Sequence, residues 1–468
     1  MRLLTSSAAR PIVRRVAQTA ALSGALFVGA ACEQPTVPYY NNPSESDFAP
    51  ITSLSQVQAL ATGIFAGDRG SIGTQIMYAE TVGRDIYRLD NAEPRYITEL
   101  LGPSIDPSDF LGGSVWPFST IRLTDVAIKG AAGAPGNVLT DAGKSAVSGF
   151  AQTFKALEYI RAIEMRDTLG VPFGTDLPQG ELAVIRCKPA VLDGIAAILD
   201  SAAVSLAAGG TSFPISLPSG FAGFNTPANF RKFNRALAAK VDIYRAFQKY
   251  ASGGTIDRAA LDSANAALGA SFINATAGQL DVGPAHLYST ATGDALNPLF
   301  QDLGSTIFRV NPSLVTAAEP GDTRLARYTR SGTTKSLSNV SSSTLITVYS
   351  SNTSPVPIIT NKELILMRAE VEWGLGNLAQ AMADVNFIRQ NDAGLAPVTL
   401  TASDDVLTQI LKEKRLSLFY TSPDRWIDAR LFGKLGTLGK ERGYDPLRAF
   451  PIPAAEASGR NGAIACTP

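Results

Sequence analysis

The chain offers few residues that could carry out acid–base or nucleophilic chemistry. Its 468 residues include one histidine, His286, so a histidine-based metal site or a Ser-His-Asp triad would lack its usual parts. Paired carboxylates remain, and two of them could hydrolyse a glycosidic bond if they faced each other across a cleft. The candidate pairs are Asp85 with Asp90 and Asp106 with Asp109. Aspartate is also common in turns, and we favour that role for all four.

Motifs for nucleotide, redox or hydrolase chemistry are missing. The sequence has no Gly-x-Gly-x-x-Gly after a strand pattern, no Walker loop, no Cys-x-x-Cys and no Gly-x-Ser-x-Gly. With 41 basic and 41 acidic residues the net charge is zero, so the clustered basic surface that nucleic acid requires is not expected. We therefore predict a protein that is not an enzyme, needs no metal or cofactor and binds no nucleic acid.

The N-terminus has the pattern of an export signal. Its only charges are arginines at positions 2, 10, 14 and 15, and the uncharged stretch VAQTAALSGALFVGAAC then runs to Cys32. The apolar run is short and rich in small residues, which indicates a removable signal peptide over residues 1–31. Small residues directly before Cys32 favour a lipoprotein in which this cysteine becomes acylated, with palmitate among its acyl chains. An ordinary signal with a chance cysteine is the alternative. Residues 32–50 are typical of a flexible tether.

Two further cysteines, Cys187 and Cys466, lie far apart in the chain. An exported protein enters an oxidising compartment, where the two can form a disulfide. Two buried thiols are an equally good interpretation of the sequence alone.

The elements that must position any site are mainly helices. Apolar residues recur every three or four positions near 147–160, 192–206, 233–247 and 364–388, which predicts amphipathic helices. Ser53 and Gln56 have capping-box spacing and would begin an earlier helix. We expect no stretch after residue 32 to be long and apolar enough to span a bilayer. By length alone, 468 residues would form two or three domains.

Two segments, near 208–229 and 284–360, interrupt the helical pattern. They are rich in Gly, Ser, Thr, Asn and Pro, and they are predicted to be long irregular insertions with a few short strands, one of them at TLITVYS. Loops of this length are uncommon unless they carry function.

The stretch AEVEWGLGNLAQAMADVNFIRQ, residues 369–390, predicts two helices joined at a Gly-Leu-Gly-Asn turn. Its spacing is similar to a tetratricopeptide unit. The charged residues here, Arg368 with Glu370 and Asp384 with Arg389, could clamp a ligand, but salt bridges at helix edges are the favoured interpretation. The predicted fold is therefore mainly α, and this hairpin is similar to a tetratricopeptide unit.

Several segments, in order, resemble the SusD/RagB family of outer-membrane nutrient-binding lipoproteins. Residues 361–395 match best, with the Gly376-Asn377 turn and an Asn-x-Ile-Arg run that begins at Asn386. One departure is Ser417, which stands where the family usually has glutamate. The other matching segments, after Cys32 and its tether, are WPFSTIRLTDVAI (116–128), FAQTFKALEYIRAIEMRDTLGVPFGT (150–175), LKEKRLSLFYTSPDRWIDARLFGKLG (411–436) and FPIPAAEASGRNG (450–462).

The resemblance implies a single domain over residues 51–468, in which tetratricopeptide-like helical hairpins form a scaffold for the loop insertions. It also implies capture of a nutrient without catalysis. A lipid on Cys32 would anchor the protein to the outer membrane, where it would deliver an oligosaccharide, or a peptide, to a SusC-like TonB-dependent transporter. Two alternatives stay open. One is a tetratricopeptide-like envelope scaffold with no small-molecule ligand, and the other is a secreted glycosidase with two converging carboxylates.

Aromatic side chains in the insertions are the candidates for ligand contact, because a sugar ring stacks on an aromatic face and binding residues concentrate on loops. We interpret Trp116, Trp373 and Trp426, which lie in helical segments or at the hairpin turn, as packing residues. The candidates are Phe221 and Phe224 in the first insertion and Tyr288, Phe300, Tyr328 and Tyr349 in the second.

Overall fold

The computed structural model describes residues 51–178, 180–304 and 307–468, which fall within one compact unit. Cys32, the signal over residues 1–31 and the tether up to residue 50 lie outside the described residues. The described helices are α1 Leu54–Val82, α2 Arg95–Thr98, α3 Phe118–Gly133, α4 Asp141–Arg166, α5 Lys188–Ala207, α6 Pro227–Phe247, α7 Arg258–Gly269, α8 Pro312–Ala317, α9 Thr323–Tyr328, α10 Asn361–Leu375, α11 Leu378–Asn391, α12 Ser403–Ser417, α13 Asp424–Leu431 and α14 Ala454–Gly459.

The strands are short and pair in twos, all antiparallel: β1 with β5, β2 with β3, β4 with β8 and β6 with β7. Their bounds are β1 Ile86–Arg88, β2 Val171–Pro172, β3 Ile185–Arg186, β4 Ala285–His286, β5 Phe308–Val310, β6 Thr329–Leu337, β7 Val340–Ile346 and β8 Val356–Pro357. The predicted class, mainly α with a few short strands, is confirmed.

Local signals in the sequence start the helices where predicted. Ser53 and Gln56 form the capping box of α1, in which each side chain accepts a hydrogen bond from the other residue's backbone N–H. Thr140 and Thr226 cap α4 and α6 in a similar way. Such caps satisfy N–H groups that have no partner inside the helix, so they define where it begins.

Successive helices pack as hairpins. Contacts run from α3 to α4, α5, α6 and α7 in turn, and from α10 to α11 and α12, while α7 also packs against α10. The turn of the 369–390 hairpin lies at Gly376, whose φ of 89° favours glycine. At Gly374 a Cβ would lie 2.7 Å from Leu261 and 2.8 Å from Phe247. This hairpin is therefore a close-packed part of the scaffold.

Helix α5 corrects one expectation. By length and composition, residues Lys188–Ala207 form one described helix that is apolar enough to cross a membrane. Its side chains Leu192, Ile195 and Leu199 are buried, and the helix packs between α4 and α6. That packing accounts for its apolar face, as in the core helix of a soluble domain.

The second insertion has more regular structure than predicted. Residues 329–346 form the β6–β7 hairpin, where a single short strand was predicted. The predicted strand at TLITVYS overlaps only the end of β7. Serine and threonine make up most of this hairpin, so apolar–polar alternation is weak and cross-strand pairing decides its conformation.

Candidate ligand-binding site

The two aromatic candidates of the first insertion are buried. Phe221 is fully enclosed, with ring centroids of Phe65 at 5.0 Å and Phe230 at 6.1 Å. Phe224 is buried beside Phe272 with 5.0 Å between ring centroids. A buried side chain offers no face to a ligand, so we exclude Phe221 and Phe224 as ligand contacts.

Tyr288 and Phe300 in the second insertion pack onto the large core cluster that includes Trp426 and Phe450. Tyr288 is buried, and the guanidinium carbon of Arg69 lies 5.7 Å from its ring centroid. Neither aromatic lines the pocket described next.

Tyr328 and Tyr349 come together at a pocket of about 390 Å³. It lies where the second insertion meets the start of α10. The lining residues are Asp281, Gly283, Ala285, Arg327, Tyr328, Val348, Tyr349, Ser350, Ser354, Pro355, Pro357, Thr360, Lys362 and Thr421. The structure thus brings together two of the six predicted aromatics in one site.

Backbone hydrogen bonds hold the pocket walls. The N–H groups of Asn361 and Lys362 donate to Val282 and Leu280 over 2.8 and 2.9 Å, so one wall is fixed against the start of α10. A Cβ at Gly283 would lie only 2.0 Å from the carbonyl oxygen of Ile359, and this approach therefore requires glycine.

The two tyrosines have different environments. Tyr349 is buried and its hydroxyl donates to the carbonyl of Tyr420 over 3.2 Å, so it forms a fixed wall. Tyr328 ends α9 and is half-buried, and its carbonyl accepts a hydrogen bond from the Thr347 N–H at 2.7 Å. Of the two, only Tyr328 is partly exposed.

The polar groups of the pocket include two cations. Lys362 Nζ lies 2.7 Å from Asp281 Oδ1 and 3.5 Å from the Tyr328 hydroxyl. Burial works against its ammonium, but Tyr328, Asp392 and Asp281 outweigh burial and raise the pKa of Lys362 above its ordinary value. Arg327 Nη2 donates to Asp392 Oδ1 over 2.6 Å. Both cations are charged at neutral pH.

Hydroxyl groups complete the lining. Thr360 Oγ1 is buried and has no hydrogen-bond partner among the described residues, while Ser350 and Ser354 carry further hydroxyls at the pocket. Sequence reasoning missed Thr360, Lys362 and Arg327, because a polar residue beside a helix end is usually solvated. Their position at the end of the second insertion is the one signal that could have drawn attention to them.

A second group of charged residues lies inside the scaffold. Lys414 Nζ lies 2.8 Å from Glu370 Oε1 and 2.9 Å from Asp428 Oδ2, while Lys240 Nζ is 2.9 Å from both Glu363 and Asp424. Perturbed charges of this kind often mark functional sites. We define these six residues as the buried charge cluster. They lie on α6, α10, α12 and α13 with little exposed surface, so we assign them to helix packing.

The buried charge cluster makes stability depend on pH. Burial raises the pKa of Glu370 to about 8, that of Glu363 to about 7 and that of Asp428 to about 6. The unfolded carboxyls lose their protons near their ordinary values of about 4–4.5, whereas the folded ones retain them. We expect the free energy of unfolding to fall from pH 5 to pH 8, by about 1.4 kcal/mol per pH unit for each retained proton.

Urea denaturation at pH 5, 6, 7 and 8 measures this dependence. Glu370→Gln should give a flatter profile, because it removes one of the titrating groups. A profile that rises over this range in the unsubstituted protein would contradict the assignment.

The carboxylates proposed for glycoside hydrolysis have structural partners. Asp85 is buried and accepts hydrogen bonds from Arg415 at 2.5 and 2.8 Å. Asp109 accepts from two backbone N–H groups at 2.8 and 3.0 Å, as expected of a turn residue. Asp106 accepts from the Ser108 N–H at 2.8 Å, and Asp90 from Ala92 at 3.0 Å. The preferred interpretation as turn acids agrees with these contacts for Asp90, Asp106 and Asp109, whereas it was wrong for Asp85, which is buried and paired with Arg415.

Salt bridges hold the charged residues of the 369–390 hairpin, although Glu370 and Arg389 are buried and do not lie at helix edges. Arg368 donates to both carboxylate oxygens of Asp384 at 2.8 and 2.6 Å. Arg389 Nη1 lies between Glu319 at 2.8 Å and Glu413 at 3.0 Å. Ser417, at the position where the SusD/RagB pattern has glutamate, accepts a hydrogen bond from Arg324 over 2.8 Å.

The two distant cysteines are joined. Cys187 and Cys466 form a disulfide with a Cα–Cα distance of 4.9 Å. The Cys187 N–H also donates to the Thr467 carbonyl over 2.8 Å, so the C-terminal segment is held at the start of α5.

Solved structures with this fold exist, although no protein-family model and no curated protein matches the sequence. A SusD superfamily protein from Parabacteroides distasonis ATCC 8503 superposes with a TM-score of 0.66 at 16% identity, over 87% of this chain and 98% of that one. Bacteroides fragilis NanU superposes with a TM-score of 0.63 at 15% identity, over 90% of this chain and 98% of that one. Surface glycan-binding protein A from Bacteroides fluxus superposes with a TM-score of 0.59 at 14% identity, over 88% of this chain and 98% of that one.

These comparisons establish the fold. The chain has the fold of the SusD superfamily protein from Parabacteroides distasonis, and each of the three structures is covered over 98% of its own length. The predicted resemblance to the SusD/RagB family is thereby confirmed at the level of fold.

Proposed function

We propose that this protein is a SusD-type binding protein, without catalytic activity, that captures a saccharide in the pocket beside Tyr328. In this proposal a lipid on Cys32 anchors it to the outer membrane, and a SusC-like TonB-dependent transporter receives the ligand. The fold shared with a surface glycan-binding protein supports the ligand class. The half-buried Tyr328 ring beside hydroxyl and charged groups is the observation that carries the assignment of the site.

The chemistry of the pocket suits a sugar. The apolar C–H face of a pyranose ring can stack on Tyr328, and its hydroxyls can both donate and accept hydrogen bonds. Ser350 and Ser354 supply donors and acceptors.

Tyr328→Ala should weaken binding of the captured glycan by about 5–30-fold, because losing one aromatic stacking contact costs about 1–2 kcal/mol. A glycan array identifies the ligand, and titration calorimetry gives the two dissociation constants. Tyr444→Ala is the matched control, since Tyr444 is exposed and does not line the pocket. If Tyr328→Ala and the unsubstituted protein bound the glycan with equal affinity, this pocket would not be the binding site.

The partner and anchor are tested separately. Pull-down from solubilised outer membranes is expected to recover a large TonB-dependent barrel with the unsubstituted chain. Cys32→Ala should abolish retention at the membrane, because the acylated residue is gone. Recovery of envelope assembly factors in place of a barrel would favour the scaffold alternative.

A further inference from the structure

Lys362 is buried, but the described carboxylate that directly contacts its ammonium is not; buried Asp392 acts on Lys362 only at longer range. The side chain of Lys362 is 5% exposed, whereas that of Asp281, which holds its ammonium at 2.7 Å, is 77% exposed. The buried lysines of the charge cluster differ in this respect. Lys240 and Lys414 each pair with carboxylates that are themselves buried.

Because of this difference in burial, Asp281 can be replaced as the partner of Lys362, whereas Lys362 remains in the pocket wall. A buried ammonium needs an anionic partner, because it has lost most of its water. An exposed carboxylate is well solvated by itself and gains little from an ion pair. Asp281 can therefore return to water at small cost, provided that another anion takes its place at Lys362.

A second cation flanks the same aromatic ring. The guanidinium carbon of Arg327 lies 5.0 Å from the ring centroid of Tyr328, and the side chain of Arg327 is 44% exposed. Its carboxylate partner, Asp392, is buried and does not line the pocket. Among the charged residues that line the pocket, two are cations, Arg327 and Lys362, and one is the exposed acid Asp281.

We propose that the captured saccharide is acidic, and that a uronic-acid-type carboxylate displaces Asp281 from Lys362 while its ring stacks on Tyr328. This inference rests on the proposed function of the pocket. A carboxylate at Lys362 makes a charge-assisted hydrogen bond, and Arg327 is within the same pocket to assist it. A neutral sugar leaves the Lys362–Asp281 pair in place and gains only ordinary hydrogen bonds.

The ligand class is tested with the unsubstituted protein on a glycan array. The array holds acidic oligosaccharides, the same compounds after reduction of each carboxyl to an alcohol, neutral oligosaccharides and acidic peptides. We expect the bound compounds to be acidic glycans, with at least tenfold weaker binding after carboxyl reduction and weaker binding at high salt.

Two variants test the displacement itself. Asp281→Asn should tighten binding of the acidic glycan by about fivefold or more, because it removes the competing carboxylate. Lys362→Met should weaken it at least tenfold. Lys412→Met is the control, since Lys412 does not line the pocket. Asp281→Asn changes an exposed residue, so the affinity of this variant for the acidic glycan tests the displacement even if Lys362→Met fails to fold.

The outcomes separate this inference from its premise. Equal binding of an acidic glycan and its reduced counterpart, or no tightening in Asp281→Asn, overturns the acidic-ligand inference and leaves saccharide capture intact. Capture of acidic peptides alone, or of no compound on the array, overturns the proposed function together with the inference.

Discussion

Replacing Lys414 with methionine is expected to lower the free energy of unfolding by about 3–5 kcal/mol at pH 7, because it leaves buried carboxylates without their cation. Lys414 is buried and lies 2.8 Å from Glu370 and 2.9 Å from Asp428, with Asp424 at 3.6 Å. These acids come from α10 and α13, so a single ammonium on α12 links three helices.

The loss should be smaller at pH 5 than at pH 8. Burial raises the pKa of Glu370 to about 8 and that of Asp428 to about 6, so both carboxyls can take up protons in acid and become neutral. Asp424 behaves differently. Burial works to raise the pKa of Asp424, but Lys240 and Lys414 hold that pKa at about 2.

Urea denaturation followed by circular dichroism measures the loss. Lys440→Met is the matched control, because Lys440 pairs with Asp445 at the surface, where both side chains are more than 60% exposed. Exposed pairs contribute about 0–1 kcal/mol, so this variant should be nearly as stable as the parent protein. A loss below about 1 kcal/mol in Lys414→Met would show that the cluster does not hold the helices together.

Removing the disulfide by the double substitution Cys187→Ser and Cys466→Ser should cost about 2–5 kcal/mol of stability. The two cysteines are 279 residues apart in sequence, and a cross-link that closes so long a loop strongly restricts the unfolded chain. The loss should appear as a lower urea midpoint.

Thiol titration provides an independent check of the same bond. With Cys32→Ala as the background, the unfolded and unreduced chain is expected to contain no free thiol, and two after reduction. For the urea midpoint, Lys412→Met in this background is the control for a substitution in the scaffold that leaves the disulfide intact. Two free thiols before reduction would establish the alternative of two unpaired cysteines.

The helices were predictable because their signals are short-range. Apolar residues three or four positions apart need only their own helix to share a face, and a cap such as Ser53 needs only the next turn. The same holds for the turn at Gly376, where a positive φ favours glycine. The β6–β7 hairpin was missed, because its strands are stabilised mainly by each other and by β5.

The candidate site was only partly predictable. Long insertions rich in loop residues indicated the region, and Tyr328 and Tyr349 do meet there. The other four aromatics could not be told apart from them, because an aromatic side chain is equally suited to a core and to a ligand surface.

The sequence by itself determined the helical scaffold, the export signal as a hypothesis, and a set of residue types suited to binding rather than catalysis. The tertiary structure decided which aromatic stays accessible and which charges meet. Lys362 and Asp281 are 81 residues apart, and their contact depends on the backbone hydrogen bonds that join 280–285 to α10. Burial and long-range charge pairing are properties of packed elements, so periodicity and local motifs carry no information about them.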